Sequence, residues 1–169
     1  TYKLREMGLQ ITPTQGQAAD LIEQIKIKEA HGYQYESAEA SLELLVRRAI
    51  EGYSPHFELV DYRIIVERRH RPANIQDEDL LSEATVKIRI GSEVRHTAAV
   101  GNGPVHALDA ALRKALLHDY PMMEKLRLVD YKVKIVDQGS GTGATVRVLI
   151  ESTNGIDTWQ TVGASTDII

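Results

Sequence analysis

Over residues 14–30 the apolar positions Ala18, Leu21, Ile22 and Ile25 recur at three- and four-residue intervals, the spacing of one helix face, and Gly32 ends the run. A second stripe, Ala38, Leu42, Leu45 and Ala49, predicts a helix over 37–50, with Ser37 as N-cap and Gly52 as the C-terminal stop. The short connection 31–36 makes the two a hairpin whose apolar faces cover each other only partly and need a partner. A plain packing subdomain accounts for this segment without any ligand. After Ser54-Pro55 the period changes to two. Val60, Tyr62, Ile64 and Val66 alternate with Asp61, Arg63, Ile65 and Glu67, as in a strand with one buried face.

The same text returns further on. Leu59-Val60-Asp61-Tyr62-Arg63 reappears as Leu128-Val129-Asp130-Tyr131-Lys132, and Val133 and Ile135 continue its apolar side. Ala84-Thr85-Val86-Lys87-Ile88-Arg89-Ile90 is echoed by Ala144-Thr145-Val146-Arg147-Val148-Leu149-Ile150. A third strand closes each unit, near Val94 to Val100 and Thr158 to Val162, each ending in Val-Gly. The first unit then passes through Asn102-Gly103-Pro104 into an amphipathic helix carrying Val105, Leu108, Leu112, Ala115 and Leu116, with Pro104 in its first turn and its end near His118, before Tyr120-Pro121. The second reaches Gly163-Ala164-Ser165-Thr166 at the corresponding place, where Ser165 or Thr166 suits an N-cap, and the sequence stops at Ile169. The expectation is an α+β fold: a helical segment, residues 1–54, followed by a duplicated βββα arrangement with pseudo-twofold symmetry over 55–169, its units about 55–121 and 122–169, the last helix absent. One sheet face is then left open unless another chain covers it.

The turn Val100-Gly101-Asn102-Gly103-Pro104 places two glycines before a helix start, where unpaired N–H groups and the helix dipole favour an anion such as a carboxylate. A tight strand-to-helix turn uses the same residues with no ligand at all. The repeat favours the binding reading, because Gly101-Asn102-Gly103 and Gly163-Ala164-Ser165 stand at corresponding strand ends, from which symmetry brings both turns to a shared pocket or dimer interface suited to a small zwitterion.

The remaining chemistry is thin. The basic run Glu67-Arg68-Arg69-His70-Arg71-Pro72 has no interleaved aromatic and is followed by Asp77, Glu78, Asp79 and Glu83, so it reads as a solvated connection rather than a nucleic-acid site. Those acids lack the glycine turn and ligand order of a calcium loop. His31, His56, His70, His96, His106 and His118 form neither a close ligand pair nor part of a nucleophile elbow, and no catalytic constellation or metal site emerges. His106, one turn into the helix after the glycines, is within reach of a ligand, although an exposed helix histidine needs none. With no cysteine, disulfides, thiolate metal sites and a cysteine nucleophile are excluded. A formal charge of −4 gives no general attraction to phosphate backbones or anionic lipid. No apolar run approaches the roughly 18 residues that span a bilayer, and no signal peptide is visible, so the expected location is the cytoplasm.

The stretch Gly32-Tyr33-Gln34-Tyr35-Glu36-Ser37-Ala38-Glu39-Ala40-Ser41-Leu42-Glu43-Leu44-Leu45, with the paired Leu-Val-Asp-Tyr strands and Gly-Asn-Gly-Pro-Val, resembles the isopropylmalate and citramalate synthase family along nearly the whole chain, and looks closer to the citramalate branch. The resemblance implies a parent enzyme in which a TIM barrel with a divalent metal condenses acetyl-CoA with a 2-oxo acid. A helical linker and a dimeric regulatory domain follow that barrel, and only these two are present here. No catalytic residue carries over, and the chain alone is expected to be inert as a synthase and to need no cofactor. The resemblance places the end-product amino acid where the two units meet, at Gly101, Asn102, Gly103, Pro104, Ala107, Gly163, Ala164 and Ser165. Isoleucine is the expected effector, its side chain among Val105, Leu108 and Leu126, in a homodimer that signals to the barrel. The alternatives are a leucine-binding isopropylmalate synthase regulator and a dimerisation scaffold without ligand.

Overall fold

The computed structural model describes residues 14–49, 53–67, 81–137 and 140–167. The expected C-terminal stop at Gly52, the basic run 68–72 and the acids Asp77, Glu78 and Asp79 lie outside them. In chain order the elements are α1 (Gln15–Ala30), α2 (Glu39–Arg48), β1 (Glu58–Glu67), β2 (Leu81–Ile90), β3 (Glu93–Gly101), α3 (Pro104–Leu116), β4 (Arg127–Ile135), β5 (Val146–Thr153) and β6 (Thr158–Ser165). Short 3-10 turns at Pro121–Lys125 and Gly141–Gly143 complete the set. Helices packed on two antiparallel three-stranded sheets make this an α+β fold. The described residues form two compact units, one between Pro55 and Glu124, the other joining those up to Ser54 with those from Lys125 onward.

In the Pro55–Glu124 unit the strand order is β1-β2-β3, with α3 on one face. Alternation along β2 turns Ala84, Val86 and Ile88 to the helix, where they meet Ala107, Ala111, Ala115 and Leu116 in a fully buried core. Three alanines spaced four apart let the helix lie close to the strands, and Phe57, Ile64, Leu108 and Leu112 seal the margins. Polar ties run down one side: Thr97 Oγ1 donates to the Ala111 carbonyl at 2.8 Å, and Arg95 reaches the Ala115 carbonyl while pairing with Glu93 and Asp119.

The other unit has strand order β4-β5-β6. Here Leu21, Tyr35, Leu42 and Val46 of the helical hairpin form a core against Val162 of β6. The α1 start is held by a capping box, in which the Thr14 hydroxyl takes the Gln17 N–H and the Gln17 side chain takes the Thr14 N–H. Gly32, at φ +96°, turns the chain between the helices, and a Cβ there would touch Thr145, Val136 and Ala164 at 3.4 to 3.5 Å. Arg147 donates to the Gly32 carbonyl and to Gln34 Oε1, and the Val162 N–H donates to Ser41 Oγ at 2.9 Å, so the hairpin is tied to the sheet through its own turn.

Three expectations need correction. The α2 N-cap is Ala38, not Ser37, and it has no side-chain cap. The expected buried face of the first strand is mostly open: of β1 only Ile64 is even half-buried, because β1 is an edge strand and α3 lies mainly over β2 and β3. The strict alternation from Val60 is also broken, since the pairing slips between Leu59 and Asp61, leaving Val60 in a bulge. The same slip occurs between Leu128 and Asp130, around Val129.

The register also revises the echo between the second strands. In text Val86 aligns with Val146, but Tyr62 faces Val86 and Tyr131 faces Ile150, so by pairing the counterpart of Val86 is Ile150. The third strands agree, with Thr97 opposite Val86 and Thr161 opposite Ile150. On this register Gly101, opposite Ser82, corresponds to Ser165, opposite Val146, and Gly163 to Ala99.

Candidate functional site

The turn that leads into α3 is shaped by two glycines with different reasons to be glycine. Gly101 closes β3 under the helix: a Cβ on it would lie 2.5 Å from the Ala107 nitrogen and 2.9 Å from the Ala107 Cα and the His106 carbonyl carbon, all backbone atoms. Gly103 is the helix N-cap in an extended conformation, with nothing within 4 Å of its Cβ direction. Having no side chain, it caps nothing, and Pro104 at the first helical position brings no N–H. The N–H groups of Val105 and His106 therefore begin the helix without a capping side chain, while the Ala107 N–H closes the first turn on the Gly103 carbonyl at 3.0 Å. His106 holds the turn from outside, its Nδ1 accepting the Asn102 N–H at 3.2 Å. Such an arrangement presents backbone donors and the positive end of a 13-residue helix, chemistry suited to a carboxylate.

Beneath the turn lies a residue that sequence reasoning passed over. Ser82, the second residue of β2, is fully buried, opposite Gly101 on one side and Val66 on the other. Its hydroxyl has no hydrogen-bond partner among the described residues. A serine in an alternating strand carries no signal in a single sequence; only the pairing register places it under the glycines.

The other predicted residues distribute by unit. Asn102 is exposed, Pro104 half-buried, Ala107 fully buried, Val105 partly exposed and Leu108 at the margin of the α3 core. Leu126, Gly163, Ala164 and Ser165 belong to the second unit. There strand alternation divides the trio. Gly163 and Ser165 share a face of β6 with their partners Val148 and Val146, and Ala164, opposite Arg147, turns to the other, under the hairpin glycine Gly32. After β6 the Asp167 N–H donates to Ser165 Oγ at 3.1 Å, the kind of bond an N-cap serine makes.

A second feature of that unit is a surface cleft of about 440 Å³ between the start of α2 and the end of the β5–β6 hairpin, lined by Glu36, Glu39, Glu43, Glu151, Trp159 and Gln160. Two of its acids are already engaged, Glu43 by Arg47 and Glu151 by Gln160. Among the described residues no group of three or more His, Asp and Glu is placed to hold a metal ion. No described helix is long and apolar enough to cross a membrane.

Comparison with known proteins gives a consistent picture. The (R)-citramalate synthase of Aquifex aeolicus (strain VF5) is 46% identical over 169 residues, covering 99% of this chain and 31% of the relative. That of Geobacter sulfurreducens is 43% identical over 167 residues, with the same coverages. A 2-isopropylmalate synthase from Pseudoalteromonas atlantica is 35% identical over 91 residues, 54% of this chain. The chain thus spans about a third of the length of the curated relatives it matches. Residues 36–169, containing α2, both sheets and the glycine turn, match the model of the LeuA allosteric (dimerisation) domain, and the chain belongs to that family.

Proposed function

We propose that this chain is the feedback-regulatory, dimer-forming part of an (R)-citramalate synthase, and that it binds isoleucine. The observation that carries the reading is the glycine turn at the start of α3, which has no side-chain cap and where backbone N–H groups and the helix dipole favour an anion. Isoleucine lies with its carboxylate at this turn and its side chain toward Val105 and Leu108. What supports the branch is the 41–46% identity to (R)-citramalate synthases over almost the whole chain, against lower coverage by 2-isopropylmalate synthases.

In this reading the helical segment up to residue 54 links the regulatory domain to a catalytic barrel elsewhere in the parent. That barrel, with its divalent metal, condenses acetyl-CoA and pyruvate in the cytoplasm. The regulatory domain itself, 55–169, is a duplication of one βββα unit. The support for duplication is the shared strand order, the common pairing register and a bulge at the same point of both first strands. By the same logic a helix following Ser165 takes the place that α3 has in the first unit. Isoleucine favours one arrangement of the dimer over the other, and a differential affinity of roughly 1–3 kcal/mol is enough to change barrel activity several-fold or more.

Calorimetric titration with isoleucine, and with leucine for comparison, tests this directly. Preferential binding of isoleucine that is lost on Gly103→Val supports the assignment. Preference for leucine moves the chain to the isopropylmalate branch, and dimerisation without heat from either amino acid makes it a scaffold.

A further inference from the structure

We infer that Ser82 is a ligand-contacting residue of the α3 turn, its hydroxyl donating to the carboxylate of the bound amino acid. The inference rests on the reading of that turn as the effector site and goes beyond it, since it assigns a binding role to a strand residue outside the glycine turn. Ser82 is fully buried, and its hydroxyl has no partner among the described residues. Buried hydroxyls are almost always hydrogen-bonded, so an orphan calls for a partner that arrives later. Ala84, which strand alternation places on the same face of β2 as Ser82, belongs to the apolar core under α3, and an alanine at position 82 would continue that face.

The register says where the missing partner comes from. Ser82 stands opposite Gly101, and side chains in opposed positions of an antiparallel pair lie about 4.5–5.5 Å apart. Because Gly101 has no side chain and its Cα abuts the His106 and Ala107 backbone, no strand side chain at that position separates the hydroxyl from the first turn of α3. The N–H groups of Val105 and His106 start that turn without a capping side chain. A hydroxyl across the pair from Gly101 and the backbone N–H groups that open the helix seated on Gly101 are together donors that match a carboxylate. Because Ser82 is fully buried under α3, a carboxylate reaches its hydroxyl only when the first turn of that helix lifts. Ligand binding is thereby coupled to a movement of the helix.

The test is titration of the protein and of its Ser82→Ala and Ser82→Cys variants with isoleucine and with isoleucinamide, which keeps the side chain and ammonium but lacks the carboxylate. A hydrogen bond to a charged group corresponds to roughly ten-fold or more in affinity, so both variants are expected to bind isoleucine at least about ten-fold more weakly. Both are also expected to discriminate less against isoleucinamide, while melting no lower than the parent. Unchanged isoleucine affinity in Ser82→Ala and Ser82→Cys, with binding still lost in Gly103→Val, overturns the role of Ser82 and leaves the turn assignment standing. A lower melting temperature with unchanged discrimination makes the hydroxyl structural and also overturns it. No binding of isoleucine by the parent protein removes both readings together.

Discussion

Replacing Gly101 by alanine tests how closely α3 is seated on β3. The added Cβ has backbone as its nearest neighbours, at 2.5 Å for the Ala107 nitrogen and 2.9 Å for two further atoms, so no side chain can swing aside to admit it. The first turn of α3 has to retreat by roughly 1 Å to restore van der Waals separation. Ala107, fully buried and packed on the sheet, moves with it. Overpacking of this kind costs about 1–3 kcal/mol, and in a unit of this size each kcal/mol lowers the melting temperature by about 4–8 °C. A fall of about 8–16 °C in thermal unfolding followed by circular dichroism is expected from a central value of about 2 kcal/mol. Gly103→Ala is the control, because its Cβ meets nothing and its backbone is extended; it should lie within about 0.5 kcal/mol of the parent. If the two variants melt alike, the close seat of α3 on Gly101 is wrong.

Gly32→Ala should also destabilise, by more than about 1 kcal/mol, since φ +96° strains any L side chain and the new methyl meets Thr145, Val136 and Ala164; denaturant unfolding reads the loss. Arg147→Met leaves the Gly32 carbonyl and Gln34 without their donor, and faster hydrogen exchange in α1 and α2 than in α3 is the expected signature. Acid should release the Glu93–Arg95 pair within β3: the hydrogen bond from Arg95 holds the Glu93 carboxyl below its ordinary range, so its contribution is present above that range and disappears as pH falls through the lowered value. Glu93→Gln should flatten this acid limb of a melting-temperature-against-pH curve, and an unaltered limb would exclude Glu93 as its source.

Much of this architecture was legible because burial imposes periodicity. Leu21 and Leu42 of the hairpin core, the alternation of Ala84, Val86 and Ile88, and Pro104 opening α3 follow from spacing and cap chemistry, whereas Val46, outside the expected stripe, is buried and Leu45 only partly so. Register was not legible, and the reason is general. A slip by an even number of positions preserves period-two alternation, so the text sets Val86 against Val146 with every apolar residue still in phase, although the pairing sets it against Ile150. Bulges hide for a related cause: Val60 and Val129 are ordinary strand residues whose only distinction is the pairing they fail to make. Ser82 under Gly101, and the cleft joining Glu36 to Trp159, arise from residues distant in sequence, which no local pattern reports.

The two bulges have a consequence for how the molecule keeps to itself. Both fall in edge strands, β1 and β4, each of which carries exposed aliphatic residues such as Ile65, Val66, Val133 and Ile135. A long, regular, apolar edge is a template on which further strands can dock and grow into a fibre. One surplus residue breaks the even row of free N–H and carbonyl groups and twists the edge, so an incoming strand finds no straight partner. Val60 and Val129 thus interrupt β1 and β4 as templates for an added strand.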